Sequence, residues 1–242
     1  IRTKKENREF KTVTGTFENS EITLISSGIG TDNIDILINE LDALVNVDLK
    51  TGLEKEDHVS LSIIRLGTSG GLRSDIPSGS FVLAESAVGF DSLLHFYHGY
   101  DWILNTPLAD ALAYYLEWPD ILSYPYAVNA NSDLFGLFQN EEFIKGITIS
   151  APGFYGPQGR KLRLETFDNE INDKLSRFEF RGKMICNYEM ESSAIYGLSR
   201  MLGHEAITVC LLIANRRSFA ANENYHASME TFLRAVLDNL TL

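Results

Sequence analysis

Cys186-Asn187-Tyr188-Glu189-Met190-Glu191-Ser192-Ser193-Ala194-Ile195-Tyr196 is the stretch on which the reading of this chain turns. The short apolar stretch Met184-Ile185-Cys186 leads into it. After it, Ala194, Ile195, Leu198, Met201 and Leu202 recur at helical spacing, and Gly203 stops the run. Two carboxylates and a thioether therefore sit where a strand or loop turns into a helix. The helix dipole favours acidic groups in a first turn, which accounts for one carboxylate. Two of them around a Met, with apolar residues on both sides, also suit a small concave polar site. There a carboxylate could accept hydrogen bonds from a vicinal diol. On residue types alone the dipole reading leads.

The flanking chain supplies the frame. Residues 9–17 and 21–27 read as strands, and the second runs into Gly28-Ile29-Gly30. A helical face follows, with Ile34, Leu37, Ile38, Leu41 and Leu44. Residues 59–66 form a nearly all-apolar strand ending in Gly67-Thr68-Ser69-Gly70-Gly71. Residues 81–88 and 143–151 are further strands, and 206–214 is a buried one. Residues 91–101 read as an irregular flap and 152–159 as a Gly- and Pro-rich loop. Helices are expected over 108–116, 169–178 and 225–242. Strands buried on both faces and alternating with helices predict a single α/β domain over 1–242, with a central mixed, largely buried β-sheet flanked by helices. Ligands in such sheets sit at the carboxyl ends of strands. That rule gathers Gly28-Ile29-Gly30, Gly67 to Gly70, the loop at 152–160, Glu189 to Glu191 and Asn215-Arg216. This convergence lifts the site reading above the dipole one.

Bulk properties narrow the partners. The chain has 242 residues, 44% hydrophobic, with a net charge of −12. That balance argues against nucleic acid, because phosphate neutralisation needs a basic face. Cys186 and Cys210 lie in apolar surroundings and read as buried free thiols of a reducing, cytoplasmic compartment. No apolar run approaches a membrane span, so no membrane partner is expected. The chain opens Ile1-Arg2-Thr3-Lys4-Lys5 without Met, and its true beginning is expected upstream.

Arg65 to Gly71 carries the most chemistry. Small residues let backbone N–H groups approach an anion, Thr68 and Ser69 add hydroxyls, and Arg65 adds a forked cation. An arginine inside an apolar strand needs a buried partner. Gly28-Ile29-Gly30 lacks the third glycine of a dinucleotide fingerprint and reads first as a tight strand-to-helix turn. Gln158-Gly159-Arg160 could read the carbonyl and N–H edge of a pyrimidine with Phe154 on its face, or could be a solvated loop. Asn215-Arg216-Arg217 is a surface basic pair or places one arginine in the site. Among the five histidines only His95 and His98 are a weak pair, so no metal is expected at the reaction centre.

Taken in this order, the pieces resemble the nucleoside phosphorylase family, and most closely its uridine branch. The matching residues are Asn7-Arg8-Glu9-Phe10, Ser27 to Gly30, Arg65 to Gly70, Leu94-His95-Phe96, Phe154 to Arg160, Asn187 to Ser192 and Asn215-Arg216. The Arg-x-Gly-Thr-x-Gly and Glu-Met-Glu-Ser elements together are specific to the family, and Gln-x-Arg marks the uridine branch. The resemblance implies phosphorolysis of uridine, with inorganic phosphate as co-substrate and no other cofactor. It implies that Arg65 and Thr68 bind phosphate with the backbone near Gly28, and that Arg8 reaches a neighbouring subunit's phosphate. The active unit would then be at least a homodimer, and often a hexamer. Glu191 would hold the ribose hydroxyls, Met190 pack on the sugar and Glu189 line the pocket. Gln158 and Arg160 would bind uracil against Phe154, bordered by Ser69 and Gly70, with Arg216 helping. Gln158, Arg160 and Arg216 are the catalytic candidates.

The departures carry information too. The family's first strand with its Gly-Asp-Pro-x-Arg loop, and a histidine near the ribose 5′ end, have no counterpart from position 1 onward. At Asn33, relatives that hold a structural potassium ion between subunits usually have Ser, so the ion is not assumed. Purine-cleaving members place an Asp after the last strand, where this chain has Asn215-Arg216. The competing functions are a purine phosphorylase or nucleosidase of the same family and a non-catalytic nucleoside-binding protein. A dinucleotide-dependent oxidoreductase would need a ribose-binding carboxylate where Leu66-Gly67 stands.

Overall fold

A computed structural model describes residues 1–218 and 221–240. The chain opens with an antiparallel meander of β1 (Thr3–Asn7), β2 (Phe10–Phe17) and β3 (Ser20–Ile25), a sheet of its own. Helix α1 (Thr31–Asn46) follows, then a minimal hairpin of β4 (Val47–Asp48) and β5 (Leu53–Glu54). The central strands are β6 (Ser62–Gly71), β7 (Phe81–Gly89), β8 (Tyr126–Asn129), β9 (Phe143–Ser150), β10 (Glu179–Phe180), β11 (Lys183–Glu189) and β12 (Glu205–Asn215). The remaining helices are α2 (Thr106–Leu116), α3 (Ser132–Gly136), α4 (Ile171–Arg177), α5 (Ser192–Met201) and α6 (Tyr225–Leu240). Positions 241 and 242, expected to close the last helix, lie outside the described residues.

The large sheet has seven strands in the order β10-β11-β6-β12-β7-β8, and β9 pairs with both β11 and β7. Strands β11, β6, β12, β7 and β9 therefore form a closed ring. The α/β domain with a mixed central sheet matches the expectation. Its pairings are parallel for β6 with β12 and for β9 with β7 and β11, and antiparallel elsewhere.

Apolar runs explain most of these elements. β12 buries every residue from Ala206 to Leu212 because helices cover it. Its Ile207, Val209 and Leu211 pack with Phe232, Ala235 and Val236 of α6. Ile34 and Ile38 of α1 meet Ala194, Ile195 and Leu198 of α5 in a second cluster. Leu108, Leu112 and Leu116 of α2 join Ile147, Ile149 and Ile185 in a third. No helix among the described residues is long and apolar enough to cross a membrane.

Four expectations need correction. The strand expected to stop at Leu66 runs on to Gly71, because Gly67 to Gly71 pair with Cys210 to Asn215 of β12 and Gly70-Gly71 also with β11. The glycines let strands approach on both sides instead of making a turn. β1, β8 and α3 were not expected; each is short and lacks a clear period. The flap at 91–101 holds two 3-10 turns, Leu93–Phe96 and Tyr100–Ile103, and begins at the buried Asp91. The helix expected over 169–178 is shorter, at Ile171–Arg177.

Close packing around β9 yields a direct test. A Cβ on Gly146 would stand 2.3 Å from Cys186 Sγ and 2.8 Å from the Met184 carbonyl oxygen. Gly146→Ala is expected to lose about 1–3 kcal/mol in urea denaturation, because the backbone oxygen cannot rotate away. An unchanged midpoint would mean that β9 and β11 separate freely.

Candidate active site

Glu189 ends β11 and Glu191 precedes α5. The Glu189 carboxylate fills the need of the helix for acceptors. Its Oε2 accepts from the N–H of Glu191 and of Ser192, each at 2.9 Å. Its Oε1 accepts from the Ser150 hydroxyl, whose oxygen accepts from the Ser193 N–H at 2.9 Å. Two residues from two strand ends thus satisfy three of the N–H groups that a helix start leaves open. Glu189 was expected to line the pocket; it is also the cap that holds the pocket together.

Arg65 of β6 lies against this pair. Its guanidinium is 3.2 Å from Glu189 Oε2, forms a short ion pair with Glu191 Oε2, and donates to Cys210 Sγ at 3.3 Å. Its side chain is 11% exposed and that of Glu189 1%, so the cluster is dry. Burial alone would lower the Arg65 pKa; Glu189, Cys210 and Glu191 more than reverse that and hold it charged. Burial holds the Glu191 carboxyl above the usual range, while Arg65 opposes. Glu191 Oε1 accepts from the Gly30 N–H at 2.7 Å, which ties the Gly28-Ile29-Gly30 turn into the cluster. Gly28 stands at φ 72° and packs on Asn33, whose amide holds the Ile29 carbonyl at 2.8 Å. It is Gly30 that touches a predicted site residue.

Gly67 belongs to the same packing. A Cβ there would stand 2.3 Å from Arg65 Nη1. Further along β6, Ser69 accepts from Asn187 Nδ2 at 2.9 Å, and Asn187 accepts from Thr148 at 2.8 Å. Ser69 accepts from Asn187 and keeps its own O–H as a donor. Thr68 is partly buried in β6 opposite Leu211. Met190 is partly buried, and its N–H donates to Glu191 Oε2 at 3.2 Å.

At the far end of β6 a second group assembles. Gly70 lies against Arg216, whose Nε would be 3.0 Å from a Cβ there, and the Arg216 N–H donates to the Gly71 carbonyl at 2.8 Å. Arg216 donates to the Oε1 of Gln158, a short contact to a side chain that is buried. The Arg160 guanidinium stacks 3.8 Å from the Phe154 ring centroid, and that of Arg216 is 6.0 Å from the same ring. Neither arginine has a carboxylate in ion-pair range among the described residues. Burial, then the charge of Arg160, pulls Arg216 down to about 10, and burial lowers Arg160 as well. Arg160 Nε, Arg216 Nε and Tyr188 Oη are buried without a protein partner among the described residues. Such orphans are rare, and an anionic or polar planar ligand would satisfy them.

β6 thus runs from an acid–arginine cluster at Arg65 to an uncompensated arginine pair at Gly70. The structure joins Arg65, Glu189, Glu191 and the Gly30 turn in one group, and Gln158, Arg160, Arg216, Phe154 and Gly70 in the other. Arg8 stands apart at the exposed β1–β2 turn, at φ 52°. Sequence reasoning gave no role to Ser150, to the buried Asp91 or to Asn187, although Asn187 lies in the stretch it singled out. Asp91 accepts from Tyr126 at 2.8 Å and from Ser193 at 3.1 Å, and burial raises its pKa. None of these forms a local motif, since their side-chain partners come from distant strands and from α5.

The two cysteines are deep in the same region. Burial pushes the Cys210 thiol up to about 12 and Cys186 up to about 11. A raised pKa keeps the thiol protonated and non-nucleophilic. Neither should react with a disulfide reagent at pH 8 in the folded protein, and both should react in urea. Rapid labelling of the folded chain would contradict this packing.

With this fold and this pair of clusters, the chain belongs to the phosphorylase superfamily, whose family model matches residues 1–241. It is similar to a uridine phosphorylase of Thermococcus kodakarensis, 27% identical over 210 residues, covering 87% of this chain and 64% of that protein. It is similar to a guanosine phosphorylase of Halorubrum lacusprofundi, 23% identical over 87% of this chain and 68% of that one. The chain thus spans less than two thirds of the Thermococcus protein. Among solved structures it is similar to a Trypanosoma brucei nucleoside phosphorylase described as showing uridine phosphorylase activity. That match has a TM-score of 0.87 and 26% identity, over 100% of this chain and 86% of that one.

Proposed function

We propose that the chain catalyses phosphorolysis of uridine to uracil and ribose 1-phosphate. The observation that carries this reading is the pair Arg160 and Arg216, uncompensated by acid, over Phe154 and beside the buried Gln158. Cleaving the glycosidic bond builds positive charge on the ribose and negative charge on the departing base. Two crowded cations repel one another until an anion arrives, so their stabilisation is larger for the leaving uracil than for the bound nucleoside. Gln158, whose Oε1 is engaged by Arg216, keeps its Nε2 donors for the base. At the other end, Glu191 and Arg65 are preorganised together. Glu191 would accept from the ribose hydroxyls, while Arg65 and Thr68 hold phosphate. The phosphate is the nucleophile, and its charge stabilises the cationic sugar. No covalent intermediate is required.

The uridine phosphorylase name of the Thermococcus relative and the activity described for the Trypanosoma protein support the pyrimidine reading. The exposed Arg8, remote from both clusters, suits a role at a neighbouring subunit's phosphate, with a dimer as minimum unit and a hexamer made of three such dimers as assembly. Two buried, free thiols fit a cytoplasmic place in pyrimidine salvage. Phosphorus NMR of reactions with uridine, deoxyuridine, thymidine, inosine and guanosine tests the substrate class. Ribose 1-phosphate should appear from uridine, and faster production from inosine or guanosine would replace the pyrimidine reading with a purine one.

A further inference from the structure

The loop bearing Phe154, Gln158 and Arg160 also borders a cavity of about 520 Å³. Small-molecule sites span roughly 300–1,000 Å³. The walls are apolar and aromatic. Phe90 and Trp118 meet at 4.6 Å between ring centroids, and Leu116, Pro152, Pro157 and Ile171 continue the surface. The lining carries three acids, Glu117, Glu165 and Asp168, against one cation, Lys174. Lys174 is held by Asp168 at 2.7 Å, and Glu165 is held by Lys161 at 2.5 Å. Glu117 makes no direct ion pair among the described residues, though its charge acts on Lys174 across the cavity lining. It ends α2 in the left-handed region at φ 50°, anchored by its N–H on the Ala113 and Tyr114 carbonyls.

We propose that this cavity binds a small organic cation, an ammonium group on an apolar body of about aromatic-ring size. Three observations converge on that class. The faces of Trp118 and Phe90 attract cations through the ring quadrupole. The unpaired Glu117 adds Coulombic attraction at the mouth. The apolar wall rewards burial of the body of the ligand. The same acids, on a chain of net charge −12, repel phosphate and nucleotides. The cavity therefore differs in kind from the arginine-lined cluster that shares its loop. The inference rests on this geometry and not on the phosphorolysis reading.

The test uses benzyltrimethylammonium as probe and Trp118 as reporter. The chain has two tryptophans, and Trp102 is exposed. Trp102→Phe removes the background. Titration of that variant should give saturable quenching with Kd of about 1 mM or tighter, as ligand efficiencies for so small a molecule allow. Glu117→Lys, at an exposed position, should weaken binding at least about 10-fold, and the isosteric Glu117→Gln about 3-fold or more, through lost Coulombic attraction. Benzyl alcohol should bind much more weakly, and uridine should not displace the cation. Absence of saturable quenching would overturn the proposal, including the case in which a second copy of the chain covers the cavity. Equal affinity of wild type and both Glu117 variants, or displacement by uridine, would overturn it too.

Discussion

Arg160→Ala is expected to lower kcat for uridine by about 100- to 1,000-fold and to change the KM for phosphate by no more than about twofold. The size is that of preorganised donors aimed at developing charge, which are worth about 3–4 kcal/mol. Arg160 sits 3.8 Å from the Phe154 ring centroid with no carboxylate in ion-pair range among the described residues, so its charge would be available to a leaving base. Its partner Arg216 cannot replace it, because Arg216 is committed to Gln158 and braced on Gly70. Arg65, where phosphate is proposed to bind, shares no contact with Arg160 among the described residues, which is why phosphate affinity should hold. Arg160→Lys should recover little, since one ammonium cannot keep both the ring stack and the planar fork. Steady-state kinetics with each substrate varied separately would decide it. An unchanged kcat would remove Arg160 from the chemistry, and a loss confined to the phosphate KM would move it to the other cluster.

The largest expected loss of stability comes from Glu189→Ala, at about 3–5 kcal/mol. Removing one member of a buried ion pair leaves an uncompensated charge, and losses of that size follow. Here the carboxylate also accepts from two backbone N–H groups at the start of α5 and from Ser150, so several buried donors lose their acceptor together. Arg65 would keep Glu191 alone. Glu189→Gln should be milder, because the amide oxygen can still accept from the helix N–H groups while the charge is lost. Urea denaturation of the two variants against the parent measures this. A loss below about 1 kcal/mol for Glu189→Ala would mean that water replaces the carboxylate, and that the cluster is wetter than its packing.

Much of this arrangement was legible from residues alone. β12 and β9 announce themselves as apolar runs, and the 3.6-residue period of Ile34, Leu37, Ile38 and Leu41 marks α1. The requirement that a strand arginine find a buried partner held at Arg65, but the sequence pointed to an oxyanion ligand there, whereas the fold supplies the carboxylates of Glu189 and Glu191. Glycine misled where it was dense. Gly67 to Gly71 resembles a turn to local rules, yet it continues β6 between β12 and β11, and the bare Gly67 and Gly70 let Arg65 and Arg216 lie across it. Residue types alone presented Glu189, Met190 and Glu191 as one cluster, and the separate roles expected of them came from the family resemblance. Only the fold separates Glu189, which caps α5, from Glu191, which faces Arg65 and Gly30. Ser150, Asn187 and Asp91 were illegible because their side-chain partners are 35 to 118 residues away in sequence. The acidic, aromatic cavity behind the base loop draws on α2, the segment after it, and the approach to α4, and no single stretch displays it.

The central claim is tested most directly by following uridine absorbance with purified chain, with and without inorganic phosphate. The account predicts release of uracil that requires phosphate and saturates with it. Equal release without phosphate would contradict it, making the reaction hydrolysis and Arg65 a structural partner of Glu189 and Glu191. No release from uridine that calorimetry shows to be bound would contradict it in a different way, leaving a nucleoside-binding protein.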